Sequence, residues 1–230
     1  MPNWVKNIVS FEGDSKEIES LFELVKSTDK DGEINLFDFD EIIEMPKSLN
    51  ITSGGLIDTG IEIIKYKESG DKSILDYSKK HFLELNTWDA DVVIEHLSSR
   101  VDWNEVKTAI SNLENYGHKD WYTWRVSNWG TKWNTSGPTI EDNIVSFETA
   151  WSMPYEIFEE LSLKFPNLKI KVKYADEDFG SNCGQIELQN GQVLSDIEYD
   201  GIKACEVWGY DPVDYFPEVY RDRRIDDLLD

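Results

Sequence analysis

Leu168-Lys169-Ile170-Lys171-Val172-Lys173-Tyr174 alternates apolar and lysine side chains without a break. Successive side chains of a strand point to opposite faces, so this pattern predicts a β-strand with one face buried and the other wet. Such a strand needs a helix over its dry face. One is available just upstream, where Ile157, Phe158, Leu161 and Phe165 recur at helical spacing, with Pro154 tolerated in the first turn and Pro166 as a stop. Residues Ile144 to Trp151 read as a further strand before that helix. Downstream, Asn190-Gly191 separates Ile186 and Leu188 from Val193 and Ile197, the signature of a tight hairpin.

The N-terminal stretch supplies the same parts. Trp4 to Phe11 is rich in Val, Ile and aromatics and ends at Gly13, which predicts a strand. Asp14 and Glu17 have capping-box spacing, and Ile18, Leu21, Phe22 and Val25 then share one helical face. Asp29-Lys30-Asp31-Gly32-Glu33 opens like a calcium loop, but the glycine comes too early for one, so a turn is expected. It leads into a second strand over Ile34 to Phe39.

Between the two halves lies a helical stretch from about Ser73 to Tyr116. Asp102 and Glu105 form a second capping box ahead of Val106, Ala109, Ile110 and Leu113, and Gly117 is a stop. Ser53-Gly54-Gly55 reads as a turn, since a phosphate cradle requires a strand before it and a helix after it. The order strand, helix, strand, helical insertion, strand, helix, strand is that of a split βαβ unit. The expected fold is therefore α+β: a ferredoxin-like antiparallel sheet with helices on one face, a helical insertion and an appended hairpin. The core spans 1–200 with the insertion at about 53–120, and 201–230 is a C-terminal tail, docked or mobile. That tail mixes Pro212 and Pro217 with Arg221, Arg223, Arg224, Ile225, Leu228 and Leu229.

The chain has 230 residues, 40% of them hydrophobic and nine of them Trp, enough apolar surface to offset the entropy of folding. Two cysteines, Cys183 and Cys205, are too few for a disulfide framework and lack zinc-site spacing. No metal and no cofactor is expected. The net charge of −23 argues against direct nucleic-acid binding, whose affinity comes from Lys and Arg displacing counterions. The same charge favours encounter with a basic surface, or simply keeps the protein in solution. No apolar run approaches the roughly 18 residues of a membrane span and the N-terminus has no signal-peptide pattern, so neither membrane insertion nor secretion is expected and the cytoplasm is the expected location.

The best candidate site is Asn128-Trp129-Gly130-Thr131-Lys132-Trp133-Asn134, with Trp151 from the strand that follows. Tryptophan walls with a hydroxyl, an amide and a cation suit a ligand pocket. The alternative is that Trp129 and Trp133 are core anchors on a bent strand. His81 and Glu84, one helical turn apart, lack a third ligand, and His96 and His118 are isolated. Cys183 reads as a buried thiol in a turn or a loop nucleophile, and Asp176, Glu177 and Asp178 as a solvated acidic turn or a cation site.

Met-Pro-Asn-Trp at 1–4, Phe37-Asp38-Phe39-Asp40-Glu41-Ile42-Ile43-Glu44-Met45-Pro46, the run 128–134, and Phe147-Glu148-Thr149-Ala150-Trp151-Ser152-Met153-Pro154 occur in that order. Together they resemble the YubB-like family of phage- and plasmid-borne proteins, whose core is described as ferredoxin-like. The resemblance covers 1–45 and 121–191 and implies a mobile-element origin in a bacterial host, with no catalytic residues to carry over. Taken with the net charge of −23 and the absence of a catalytic signature, it leads to the expectation of an accessory protein that binds a host protein with a basic surface, such as a component of a defence system. The alternative is a small-molecule binder or hydrolase using the Trp129 to Trp133 region. Partner specificity is expected in the insertion, whose exposed side should carry Asp76, Lys79, Lys80, Glu84, Asp91, Glu95, Arg100 and Lys107.

Overall fold

The computed structural model describes residues 3–70, 72–76 and 88–219. His81, Glu84, Lys79, Lys80 and the tail residues from Arg221 onward lie outside them. The chain divides into two compact units, Met1–Glu44 with Arg125–Asp230, and Met45–Trp124.

The first unit is built on one six-stranded sheet. Its strands are β1 (Trp4–Glu12), β4 (Ser136–Glu141), β5 (Ile144–Ala150), β6 (Lys169–Asp176), β7 (Cys183–Gln189) and β8 (Gln192–Glu198), in the order β4-β5-β1-β6-β7-β8. Every neighbouring pair is antiparallel. The register sets Val9 between Val145 and Val172, so the apolar positions of three strands share one face. Strands β4, β5, β1 and β6 form the ferredoxin-like arrangement, and β7 and β8 extend it beyond β6. In the hairpin joining them, Asn190 and Gly191 both adopt positive φ, as a tight two-residue turn requires.

Helices α1 (Ser15–Leu24) and α6 (Tyr155–Lys164) cover the dry face, burying Leu21, Ile157, Phe158 and Leu161. The wet face of β6 keeps its lysines half-buried or exposed: Lys169 pairs with Glu12 at 2.9 Å and Lys171 with Glu187 at 3.0 Å. Part of that face is nevertheless covered, because α7 (Gly201–Trp208) packs Ala204 and Val207 with Ala175 and Cys183. A short α8 (Pro212–Tyr215) follows.

Two expectations fail here for identifiable reasons. The second strand of the split unit is β4, not Ile34 to Phe39, so the insertion precedes that strand. Only β3 (Ile34–Asn35) pairs, with β2 (Ser27–Thr28), across a turn closed by Asp29 accepting from the Asp31 and Glu33 amides. The alternation of Phe37 and Phe39 reflects two buried anchors on a loop. Its backbone is satisfied by other groups: the Asp38 amide donates to Val25 O and the Phe39 amide to Asn134 Oδ1. The stretch Trp129 to Trp133, for which a bent strand is the alternative reading, instead follows a helix, α5 (Trp121–Asn128), and runs through a turn and bends.

The second unit holds α2 (Gly55–Ser69), α3 (Ala90–Ser98) and α4 (Trp103–Tyr116) around Ile57, Ile63, Val93, Ile94, Leu97, Val106 and Ala109. Gly54 caps α2, so Ser53-Gly54-Gly55 starts a helix that the periodicity misses. Gly60 lets α2 approach α4: an added Cβ would sit 2.3 Å from Val106 Cγ2. Asp14 and Asp102 each accept from two first-turn amides, as capping predicts. Glu105 turns instead to the Thr52 amide and hydroxyl. In α4, Asn112 takes the inward place expected of Leu113; it is buried and donates to Ser48 O and Lys119 O, while Leu113 is exposed. Asp76, Asp91, Glu95, Arg100 and Lys107 are all exposed. No helix among the described residues is long and apolar enough to cross a membrane.

Candidate functional site

The run 128–134 separates into a buried half and an exposed half. Trp129 follows α5 directly and is fully buried. Its indole N–H donates to Ile43 O at 2.9 Å, and its ring meets Phe39 edge-on. The Arg125 guanidinium lies 4.6 Å from the same ring. Burial lowers the Arg125 pKa, against the opposing charges of Asp40 and Asp38. Thr131 is buried too and donates to Ala150 O at 2.8 Å. Asn134 accepts from the Phe39 and Thr135 amides and donates to Asp38 Oδ1 at 2.6 Å. Asn128, which closes α5, is half-buried. These residues build the fold.

Lys132 and Trp133 meet Trp151 at the end of the sheet. The Lys132 ammonium lies 4.0 Å from the centroid of the Trp133 ring and 3.8 Å from that of Trp151. Trp133 also lies 5.8 Å from Trp4, the first residue of β1. The rings are far from buried: Trp133 is 37% and Trp151 45% exposed. An ammonium over an indole face is attracted by the ring quadrupole, which orders a side chain that would otherwise be mobile. The result is a clamp of two indoles closed on one cation, with Trp4 packed behind Trp133.

The backbone below the clamp is pinned from several sides. Trp151 has φ +73°, a left-handed conformation that is a genuine outlier for so bulky a residue. It is held there by its amide donating to Asn3 O at 2.9 Å and by Asn182 Nδ2 donating to its carbonyl at 2.9 Å. Thr149 donates to Ser152 O, and Ser152 to Gly130 O. Gly130 is itself at φ +75°, and an added Cβ would meet Glu156 Oε2 at 2.2 Å. Strain of this kind costs on the order of 1–3 kcal/mol and persists only where the surroundings over-determine it, often at functional sites.

The carboxylates and thiol named from the sequence also lie near the ends of β6 and β7. Asp176 is buried, not solvated: it accepts from Asn3 Nδ2, Asn182 Nδ2 and the Asp178 amide. Glu177 accepts from the Trp4 amide and is exposed, as is Asp178. The carboxylates of Asp176 and Glu177 therefore brace the clamp's supports. Cys183 opens β7 rather than a turn, and its thiol donates to Tyr199 O at 3.2 Å. Burial pushes its pKa up, which disfavours the thiolate that nucleophilic chemistry needs. His96 is exposed and His118 half-buried. Among the described residues no three His, Cys, Asp or Glu side chains are placed to share a metal ion.

Sequence reasoning missed Trp4, read only as the start of a strand. The signal becomes visible once the register pairs Trp4 with Ala150, which puts Trp4 and Trp151 at the same end of adjacent strands.

An antiparallel sheet ordered as β4-β5-β1-β6, with crossing helices and a surface clamp of indoles, defines an α+β protein of the ferredoxin-like class carrying an extra hairpin. Residues 128–220 match the family model described as the ferredoxin-like domain in Api92-like protein, over less than half of the chain. That stretch supplies β4 to β8, and β1 comes from the N-terminus. A solved structure, the crystal structure of a protein api92 from Yersinia pseudotuberculosis, is similar at 12% identity and a TM-score of 0.40, covering 86% of this chain and 98% of that one. No curated protein matches the chain.

Proposed function

We propose that this chain is a mobile-element accessory protein of a bacterial host cytoplasm that acts by binding a host protein with a basic surface, a component of a defence system being the expected target. The observation that carries the binding role is the clamp. Trp133 and Trp151 stay about two-fifths exposed while the backbone of Trp151 is held in a strained, heavily braced conformation. Exposed, preorganised tryptophans are the residues that most often dominate protein interfaces. A net charge of −23 supports a basic partner, since opposite potentials speed encounter and exclude wrong partners. The ordered resemblance to YubB-like phage- and plasmid-borne proteins supports the mobile-element origin.

Affinity capture from bacterial lysates with the full chain, beside its Trp133→Ala/Trp151→Ala variant, tests this reading. A stoichiometric basic partner, held by the native chain and lost from the variant and at high salt, is the expected result. Capture of no such partner across several host lysates, or equal capture by the variant, overturns it.

The same geometry supports a second reading, a planar anionic small molecule stacked on an exposed indole beside Lys132. A thermal shift with nucleotides that vanishes in Lys132→Met would favour it over a protein partner.

A further inference from the structure

The last strand of the sheet, β8, pairs with β7 on one side and with no strand among the described residues on the other. An open edge presents a row of unused N–H and C=O groups, and natural proteins usually block it with Pro, Lys or very short strands. The opposite edge follows that rule: β4 contains Gly137 and Pro138 and an irregular register. β8 also has a register shift, opposite Glu187 and Leu188, but it runs for seven residues, Gln192-Val193-Leu194-Ser195-Asp196-Ile197-Glu198, with neither Pro nor Lys. Val193, Leu194 and Ile197 are 47%, 52% and 44% exposed.

The charged side chains of the strand itself are all acidic, while Lys203 lies by Tyr199 just past its end. Asp196 and Glu198 lie on the strand, and Glu159 of α6 accepts from the Tyr155 hydroxyl nearby. Burial raises the pKa of Tyr155 and of Tyr174, and Asp196 adds to both. None of Asp196, Glu198 or Glu159 forms an ion pair among the described residues, whereas Glu12, Glu148 and Glu187 on the same sheet each pair with lysine. A second copy of this chain would bring two more carboxylates to the edge and a further charge of −23. Pairing of like with like is therefore disfavoured, and a basic strand is the complementary occupant.

We propose that β8 is a docking edge for an extended, Lys- or Arg-rich segment of a partner protein, which adds to the sheet as a seventh strand with basic side chains against Asp196, Glu198 and Glu159. Main-chain hydrogen bonds supply affinity in this mode, and alternate side chains supply specificity. The inference rests on the reading above that the partner is a basic protein, and gives that partner a second point of attachment apart from the clamp.

The test uses the full chain and a short labelled peptide of alternating Lys and Val, with a Glu/Val peptide as control. Anisotropy should show binding of the Lys/Val peptide alone, with deuterium exchange slowed at residues 192–198. Asp196→Lys/Glu198→Lys, which changes only exposed side chains, should weaken it about tenfold or more. Absence of binding, equal binding of both peptides, protection elsewhere than β8, or full affinity in the charge-reversed variant would each overturn the proposal. A dimer in light scattering that Leu194→Pro dissolves would assign the edge to a second copy instead. Trp133→Ala/Trp151→Ala should keep the peptide, so loss at β8 and loss at the clamp are read separately.

Discussion

Trp129 and Trp133 stand four residues apart in one run and meet opposite surroundings. The first is wholly enclosed, its N–H satisfied by Ile43 O; the second is more than a third exposed, over a lysine. Thr131 and Asn134 side with the first, and Lys132 with the second. The difference lies in where the polar atoms go. In the buried half, the Trp129 N–H, the Thr131 hydroxyl and the Asn134 carbonyl are each spent on backbone groups that would otherwise be orphaned. In the exposed half, the polar group is a cation held by ring faces, which leaves indole surface open to a partner.

The widest gap between the halves should appear in stability. Trp129→Ala removes a fully buried indole and strands Ile43 O, with an expected loss of about 3–5 kcal/mol in urea unfolding. Trp133→Ala, measured in the same way, should cost clearly less. Equal losses would mean that both rings are core and would remove the distinction.

Asn134→Ala should come next. It deprives the Phe39 and Thr135 amides of an acceptor and Asp38 of a donor, and groups left unsatisfied in this way cost about 1–3 kcal/mol. Amide exchange should rise at Phe39 before it rises in β5. A neutral result would show that water replaces Asn134, and that the loop 35–39 is not held by it.

Trp151 allows a sharper test because its backbone reverses a usual rule. At φ +73° an L side chain is strained, so Trp151→Gly should be more stable than Trp151→Ala by about 1 kcal/mol, opposite to the order expected in a strand. The same pair at Trp133 should show no such Gly advantage. If Ala is the more stable at 151, the bracing by Asn3 and Asn182 does not impose the left-handed conformation in solution.

Much of this molecule was legible in periodicity. The alternation 168–174, the Asn190-Gly191 turn and the Asp14 and Asp102 caps each depend on neighbours in sequence, and each appears where local chemistry puts it. The failures share a cause. Phe37 and Phe39 alternate like a strand, but Asn134, nearly a hundred residues away, takes the hydrogen bond that a ladder would use. The hairpin at Asp142-Asn143, where Asp142 has positive φ, follows β4, whose Gly137 and Pro138 disguise that strand as a loop to any reading by strand propensity. For the site, Lys132, Trp133 and Trp151 were chosen from composition alone. Their meeting, and the part played by Trp4, depends on the register of β1 with β5 and on the fold of 149–152 against 130–131.

The smallest effect decides whether the clamp is an arrangement or a coincidence of neighbours. The Lys132 ammonium is within 4.0 Å of two indole centroids, and Trp151 is the nearer. At partly exposed sites such contacts contribute about 0.5–1 kcal/mol, and a double-mutant cycle isolates that amount from the burial each side chain loses when truncated. The cycle of Lys132→Met with Trp151→Leu should therefore close with a coupling of about 0.5–1 kcal/mol. Methionine keeps most of the lysine stem, so lost packing cancels between the arms of the cycle. Moderate salt should leave the coupling nearly intact, because the rings carry no net charge to be screened, whereas an exposed ion pair would fade. A coupling of zero would mean that the ammonium does not rest on Trp151 in solution. The clamp would then open freely, and the strain stored at Trp151 would have to be explained without Lys132.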